Sequence, residues 1–131
     1  MKAGFTFVPV GVIHSPYREL SEIPRQGYLS GDLTAELEVF EEYAPAASSM
    51  KPGEKYCLLF VFDKSEGYDL LTTTKGGEGE VKGFFSSRSP KRINPIGLTD
   101  ITVTAVDGRF ITFTGVDMLD GTPVLDIKPA M

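Results

Sequence analysis

The sequence predicts a mainly β fold, a single-domain small β-barrel with little helix that spans residues 1–131. Three observations predict it. Several segments alternate apolar and polar residues with a period of two, the mark of strands half-buried in a sheet. Fourteen glycines and nine prolines punctuate the chain, and no segment sustains a 3.6-residue apolar period with good caps. A half-dozen or more strands in one small domain must also hide their edges, and curling into a barrel does so most simply.

The elements follow in chain order. "FTFVPVGVI", Phe5 to Ile13, predicts the first strand. In "LTAELEVF", Leu33, Ala35, Leu37 and Val39 alternate with Thr34, Glu36 and Glu38, which puts the acids on the solvated face of a half-buried strand. "APAASSMKPGE", Ala44 to Glu54, predicts one short helical turn, because its prolines forbid a long helix. "CLLFVF", Cys57 to Phe62, is apolar on both faces and predicts a strand buried on both sides, with Cys57 in the core. "KGGEGE", Lys75 to Glu80, predicts a mobile loop from its glycines, and "EVKGFF" a further strand. "DITVTAVDGRFITFTGVD" predicts a hairpin: two β-branched runs joined at Asp107-Gly108, a pair suited to the positive φ angles of a type I′ turn.

Composition excludes several function classes. The longest strongly apolar run is far short of the ~20 residues that cross a bilayer. No signal sequence opens the chain, so no membrane partner and a cytoplasmic location are expected. One cysteine permits no intrachain disulfide, and one histidine without a cysteine pair predicts no metal site. With 13 Lys+Arg against 18 Asp+Glu, the chain lacks the basic excess usual in proteins that grip nucleic acid through phosphates. Any polyanion must therefore meet a local patch. Arg88, Lys91 and Arg92 lie within five positions of one another, and Arg18 and Arg25 flank another loop.

Three stretches are too particular to be mere connectors. "HSPY…IPRQGYLSGD" holds Arg25 and Gln26 behind the restricted backbone of Pro24, a cationic fork and an amide suited to a ligand with acidic and polar edges. "FFSSRSPKRINPIGL" concentrates positive charge between Pro90 and Pro95, with Asn94 and Gly97 as turn formers, so the loop is rigid without being regular. Rigidity reduces the entropy lost on binding. In "VDMLDGTPVLDIKP", Asp117, Asp120 and Asp126 surround a Gly-Thr-Pro turn. Taken alone, these residues predict a β-barrel whose loops converge on a polar ligand.

Together the segments "VGVIHSPY", "PRQ", "RSPKRINPIGL" and "VDMLDGTPVLDIKP", in this order, resemble the TsaA-like or TrmO family of S-adenosylmethionine-dependent tRNA N6-threonylcarbamoyladenosine methyltransferases. The resemblance implies a small β-barrel that dimerises and binds its donor, S-adenosyl-L-methionine, near the subunit interface. The absence of a GxGxxG loop after a strand fits a donor site unlike the Rossmann type. Carried onto this sequence, donor contacts are expected at Pro24, Arg25, Gln26, Asp63, Lys64, Arg88 and Leu98, and at Met118, Leu119, Asp120 and Gly121. The carboxylate of Asp117 or Asp120 would hold the donor's amino or ribose groups, and Arg88 or Arg25 its carboxylate. Arg18, Lys91, Arg92 and Asn94 are the expected contacts to tRNA at the anticodon loop, with Tyr17, Phe84 or Phe85 available for base stacking.

Departures from the family pattern bear on substrate recognition. Asp63 stands where relatives often have histidine, Ile93 where most have proline, and Ala130 where they have tyrosine. Many bacterial members carry a further C-terminal domain, which a chain ending at Met131 is expected to lack. Two alternatives accompany the methyltransferase reading: a sensor that binds S-adenosylmethionine or a nucleotide without turnover, and a methyltransferase with another acceptor.

Overall fold

Alternation in the sequence becomes an inside and an outside in the computed structural model, which describes residues 4–23, 31, 33–73 and 80–131. Eight strands occur among them: β1 (Gly11–His14), β2 (Thr34–Val39), β3 (Lys55–Val61), β4 (Leu71–Thr73), β5 (Val81–Gly83), β6 (Ile96–Asp107), β7 (Phe110–Thr114) and β8 (Pro123–Pro129). Among the described residues helix is confined to short 3₁₀ segments, the longest at Glu41–Ala47. Six strands join in the order β1-β2-β7-β6-β3-β8, and β8 pairs back onto β1 to close the barrel. All of these pairings are antiparallel. β4 and β5 form a separate two-stranded sheet.

The period-two residues fill the interior. Ile13, Leu37, Leu58, Phe60, Ile101, Val103, Ile111, Phe113 and Val124 are buried in one cluster, while Glu36 and Glu38 of β2 point outward from the same strand as Ala35, Leu37 and Val39. At ~25 cal/mol per Å² of apolar surface removed from water, this interior is the main stabilising term. β6 is long enough to serve two neighbours. Its first half pairs with β3 and its second with β7, and the pairing with β7 shifts register between Val103 and Ala105.

Five local expectations are corrected. β3 is buried on one face only: Leu58 and Phe60 point inward, whereas Cys57, Leu59 and Val61 are half-buried. A barrel has one interior, so Cys57 sits outside the core, opposite Asp100 and Lys128 on the neighbouring strands. The hairpin loop is Gly108-Arg109, since Asp107 pairs with Phe110, and Gly108 takes a φ of 60°. The helical turn starts at Glu41, upstream of Ala44. Of the first strand's expected span only Gly11–Ile13 pairs, and "EVKGFF" divides into β5 and a 3₁₀ turn at Phe84–Ser86. The glycine-rich 75–79 stretch lies outside the described residues.

Candidate active site

Antiparallel pairing brings distant segments to one end of the barrel. β3 ends beside the start of β6, because Val61 pairs with Ile96. The chain after β3 (62–66), the loop 87–95 that enters β6, and the 117–119 link between β7 and β8 therefore meet. They surround a cavity of about 830 Å³, within the ~300–1,000 Å³ of small-molecule sites. Its wall is apolar at Phe60, Phe62, Ile96, Leu98, Met118 and Leu119. Its charges are Lys64, Arg88, Lys91 and Arg92 against Asp63, Glu66 and Asp117.

Of the residues predicted from sequence, the cavity gathers Asp63, Lys64, Arg88, Leu98, Met118 and Leu119, and also Lys91, Arg92 and Asn94. Pro24, Arg25 and Gln26 lie outside the described residues. Asp120, Gly121 and Arg18 are not among the lining residues. Asp120 is occupied beside it: its Oδ1 accepts from the Ser15 N–H at 2.9 Å and its Oδ2 pairs with Arg18 at 3.2 Å. The Asp120 and Gly121 N–H groups donate to the carbonyls of Tyr17 and Ile13. These bonds tie the Gly-Thr-Pro turn to the end of β1, so the Asp120 carboxylate works in the fold.

The rim loop is held mainly by its own polar groups. Arg92 Nη1 donates to the carbonyls of Ser87 (2.9 Å) and Ser89 (3.1 Å), Nη2 donates to that of Phe84 (3.0 Å), and the guanidinium lies 5.4 Å from the Phe84 ring centroid. Bonded to three carbonyls, Arg92 is the loop's internal strut, and its charge also lines the cavity. Ser87 and Ser89 accept from the N–H groups of Ser89 and Lys91. Pro90 and Pro95 contribute through their carbonyls, which accept from Ser65 Oγ and the Phe62 N–H. Sequence reasoning credited the prolines with this rigidity and missed the serines. Arg88 is different: exposed at the cavity, it makes a single 3.3 Å bond to the Leu98 carbonyl.

Two features go beyond the expectations from sequence, which gave Gly97 only as a turn former and Asp117 only as a carboxylate for the donor's amino or ribose groups. At Gly97 a Cβ would fall 2.4 Å from the Phe60 ring, so glycine lets that ring, part of the cavity wall, approach β6 this closely. Asp117 is the second. Burial pushes its carboxyl up from the usual carboxylate range to about 6, against a hydrogen bond with Thr99 and the positive charge of Arg88, which both hold it down. Its Oδ1 is the one buried side-chain polar atom among the described residues without a hydrogen-bond partner. A bare buried oxygen costs ~1–3 kcal/mol or more when charged, so it marks a place where a ligand's donor belongs. Of the aromatics proposed for stacking, Tyr17 and Phe84 are buried, whereas Phe85 is 88% exposed and braced edge-on by Phe84 at 4.7 Å.

Among the described residues no helix is long and apolar enough to cross a membrane. The model of the family described as tRNA-methyltransferase O N-terminal domain matches residues 12–131. An S-adenosyl-L-methionine-binding protein of Archaeoglobus fulgidus is 38% identical over 120 residues, which cover 92% of this chain and 85% of that protein. The tRNA (adenine(37)-N6)-methyltransferase of Escherichia coli is 34% identical over 137 residues, covering 97% of this chain and 58% of that protein. The crystal structure of TrmO from Pseudomonas aeruginosa matches with a TM-score of 0.81 at 29% identity, over 98% of this chain and 57% of that one. The chain thus spans a little under three fifths of the length of these last two proteins.

Proposed function

Because the chain belongs to the tRNA-methyltransferase O N-terminal domain family, we propose that it transfers the methyl group of S-adenosyl-L-methionine to N6 of threonylcarbamoyladenosine beside a tRNA anticodon. It does so as a cytoplasmic homodimer built from one barrel domain per chain. The observation that carries this reading is the cavity at the barrel's end, where an apolar wall, four cationic side chains and the unpartnered Asp117 oxygen converge.

These residues fit the donor, which is part apolar, part zwitterionic. When bound, it supplies a methyl group already activated on a sulfonium centre, so the protein's task is to align the nucleophile and exclude water. Arg88 and Lys64 bring positive charge for the donor's carboxylate, and Asp63 and Glu66 bring negative charge for its ammonium. Phe60, Phe62, Leu98 and Met118 keep water from the reacting centre. Pro24, Arg25, Gln26, Asp120 and Gly121 are further contacts to the donor. Lys91 and Asn94 at the rim, and Arg18 next to Asp120, contact the RNA backbone, while Phe85 offers a face for a splayed base.

Incubation with methyl-labelled donor and total tRNA from cells lacking the modification tests the reading. Label in threonylcarbamoyladenosine is the expected result. Tight donor binding without transfer would overturn it in favour of a sensor, and label elsewhere in favour of another acceptor.

A further inference from the structure

We propose that Asp117 is the proton acceptor for the reacting nitrogen, its unpartnered Oδ1 taking the N–H proton as the methyl group is transferred. The inference rests on the methyltransferase reading and goes beyond it, because that reading needs only a donor pocket. A urea-type N6 has a delocalised lone pair and is a poor nucleophile until its proton leaves. In the balanced step the nitrogen forms a bond to the methyl carbon. The carbon–sulfur bond breaks with its electron pair staying on sulfur, and the proton passes from nitrogen to the carboxylate. The products are methylated nitrogen, a neutral thioether and a carboxylic acid, and no co-reactant is required.

The structure offers little else for the task. His14 is spent on Glu38 at 2.8 Å, away from the cavity, and Asp120 is spent on Ser15 and Arg18. Asp63 and Glu66 line the cavity as exposed groups. Among the described residues, Asp117 alone is a lining carboxylate with a buried, unpartnered oxygen. The groups that face it are the Thr99 hydroxyl from β6 and the Arg88 guanidinium from the rim loop. The other cavity charges are Asp63, Lys64, Glu66, Lys91 and Arg92. This balance suits a proton carrier. A fixed counter-ion gains nothing from burial that penalises its charge, whereas a base that gains and releases a proton works best when its affinity lies near the working pH.

The test compares wild type, Asp117→Asn and Thr99→Val for donor affinity by calorimetry, and for kcat across pH with threonylcarbamoyladenosine-containing tRNA. Wild-type kcat is expected to fall as pH drops through about 6. Asp117→Asn should bind donor like wild type, lose about 10²–10⁴-fold in kcat and lack that acidic limb. Thr99→Val removes a bond that favours the carboxylate, so its limb should move to higher pH. Unchanged kcat in Asp117→Asn overturns the proposal, and so does a loss of donor affinity that accounts for the whole defect. Wild type that binds donor without transferring it overturns the underlying reading, and the proposal with it.

Discussion

Replacing Asp117 by asparagine should stabilise the fold at neutral and alkaline pH and leave it nearly unchanged in acid. In the unfolded chain the carboxyl ionises around 3.8, in the native state around 6. Between those values the native protein holds a proton that the unfolded chain has released, so stability falls as pH rises. The contribution is fully present below the lower value and gone once pH passes through the upper one. About two units at ~1.4 kcal/mol each give a loss of about 3 kcal/mol. Asparagine keeps the shape and never ionises, so the variant escapes the loss. Urea unfolding of both proteins from about pH 4 to about pH 8 provides the check, since other carboxylates, such as Glu38 and Asp126 with their lowered affinities, cancel in the difference. The variant's advantage should grow by about 2–2.5 kcal/mol across the series, the rest of the loss falling below about pH 4. A difference flat with pH, or a variant weaker at the alkaline end, would refute the claim that burial governs this group.

Arg88→Ala should weaken donor binding by about 10- to 100-fold, the worth of a charged hydrogen-bonded contact, while thermal unfolding barely moves, since the side chain is exposed and makes one long bond. Gly97→Ala drives a methyl group into the Phe60 ring and should cost about 1–3 kcal/mol. Donor affinity, read by calorimetry, should fall with it, because the ring is cavity wall; wild-type affinity in a folded variant would contradict that. Arg92→Lys should fail to rescue Arg92→Ala in donor affinity, because an ammonium cannot span the carbonyls of Phe84, Ser87 and Ser89 as a planar fork does. Full rescue by lysine would mean that the charge alone matters.

How much was legible depends on the range of the interaction. Strand identity is a local property: Ala35, Leu37 and Val39 face one side of β2 because a pleated backbone alternates, and any reader of the sequence obtains that. Turn chemistry is local too, although the Gly108 loop fell one residue from its expected place because the register of the facing strands decides it. The clustering of Arg88, Lys91 and Arg92 was visible as spacing, and Asp63, Lys64, Leu98 and Met118 as a resemblance.

Which cations remain free for a ligand was not visible. Arg88 and Arg92 look alike in sequence, yet the fold of the rim loop surrounds Arg92 with carbonyls and leaves Arg88 nearly unengaged. The same holds for the aspartates. Asp117 and Asp120 lie three residues apart, and only the placement of the β1 end against the 117–121 link gives Asp120 its partners and strips Asp117 Oδ1 of any. The sequence by itself determined which segments are strands, where the glycines and prolines break them, and which charges lie close along the chain. Tertiary structure alone decided which side chains are satisfied, because hydrogen bonding and desolvation depend on neighbours that pairing brings from far along the chain.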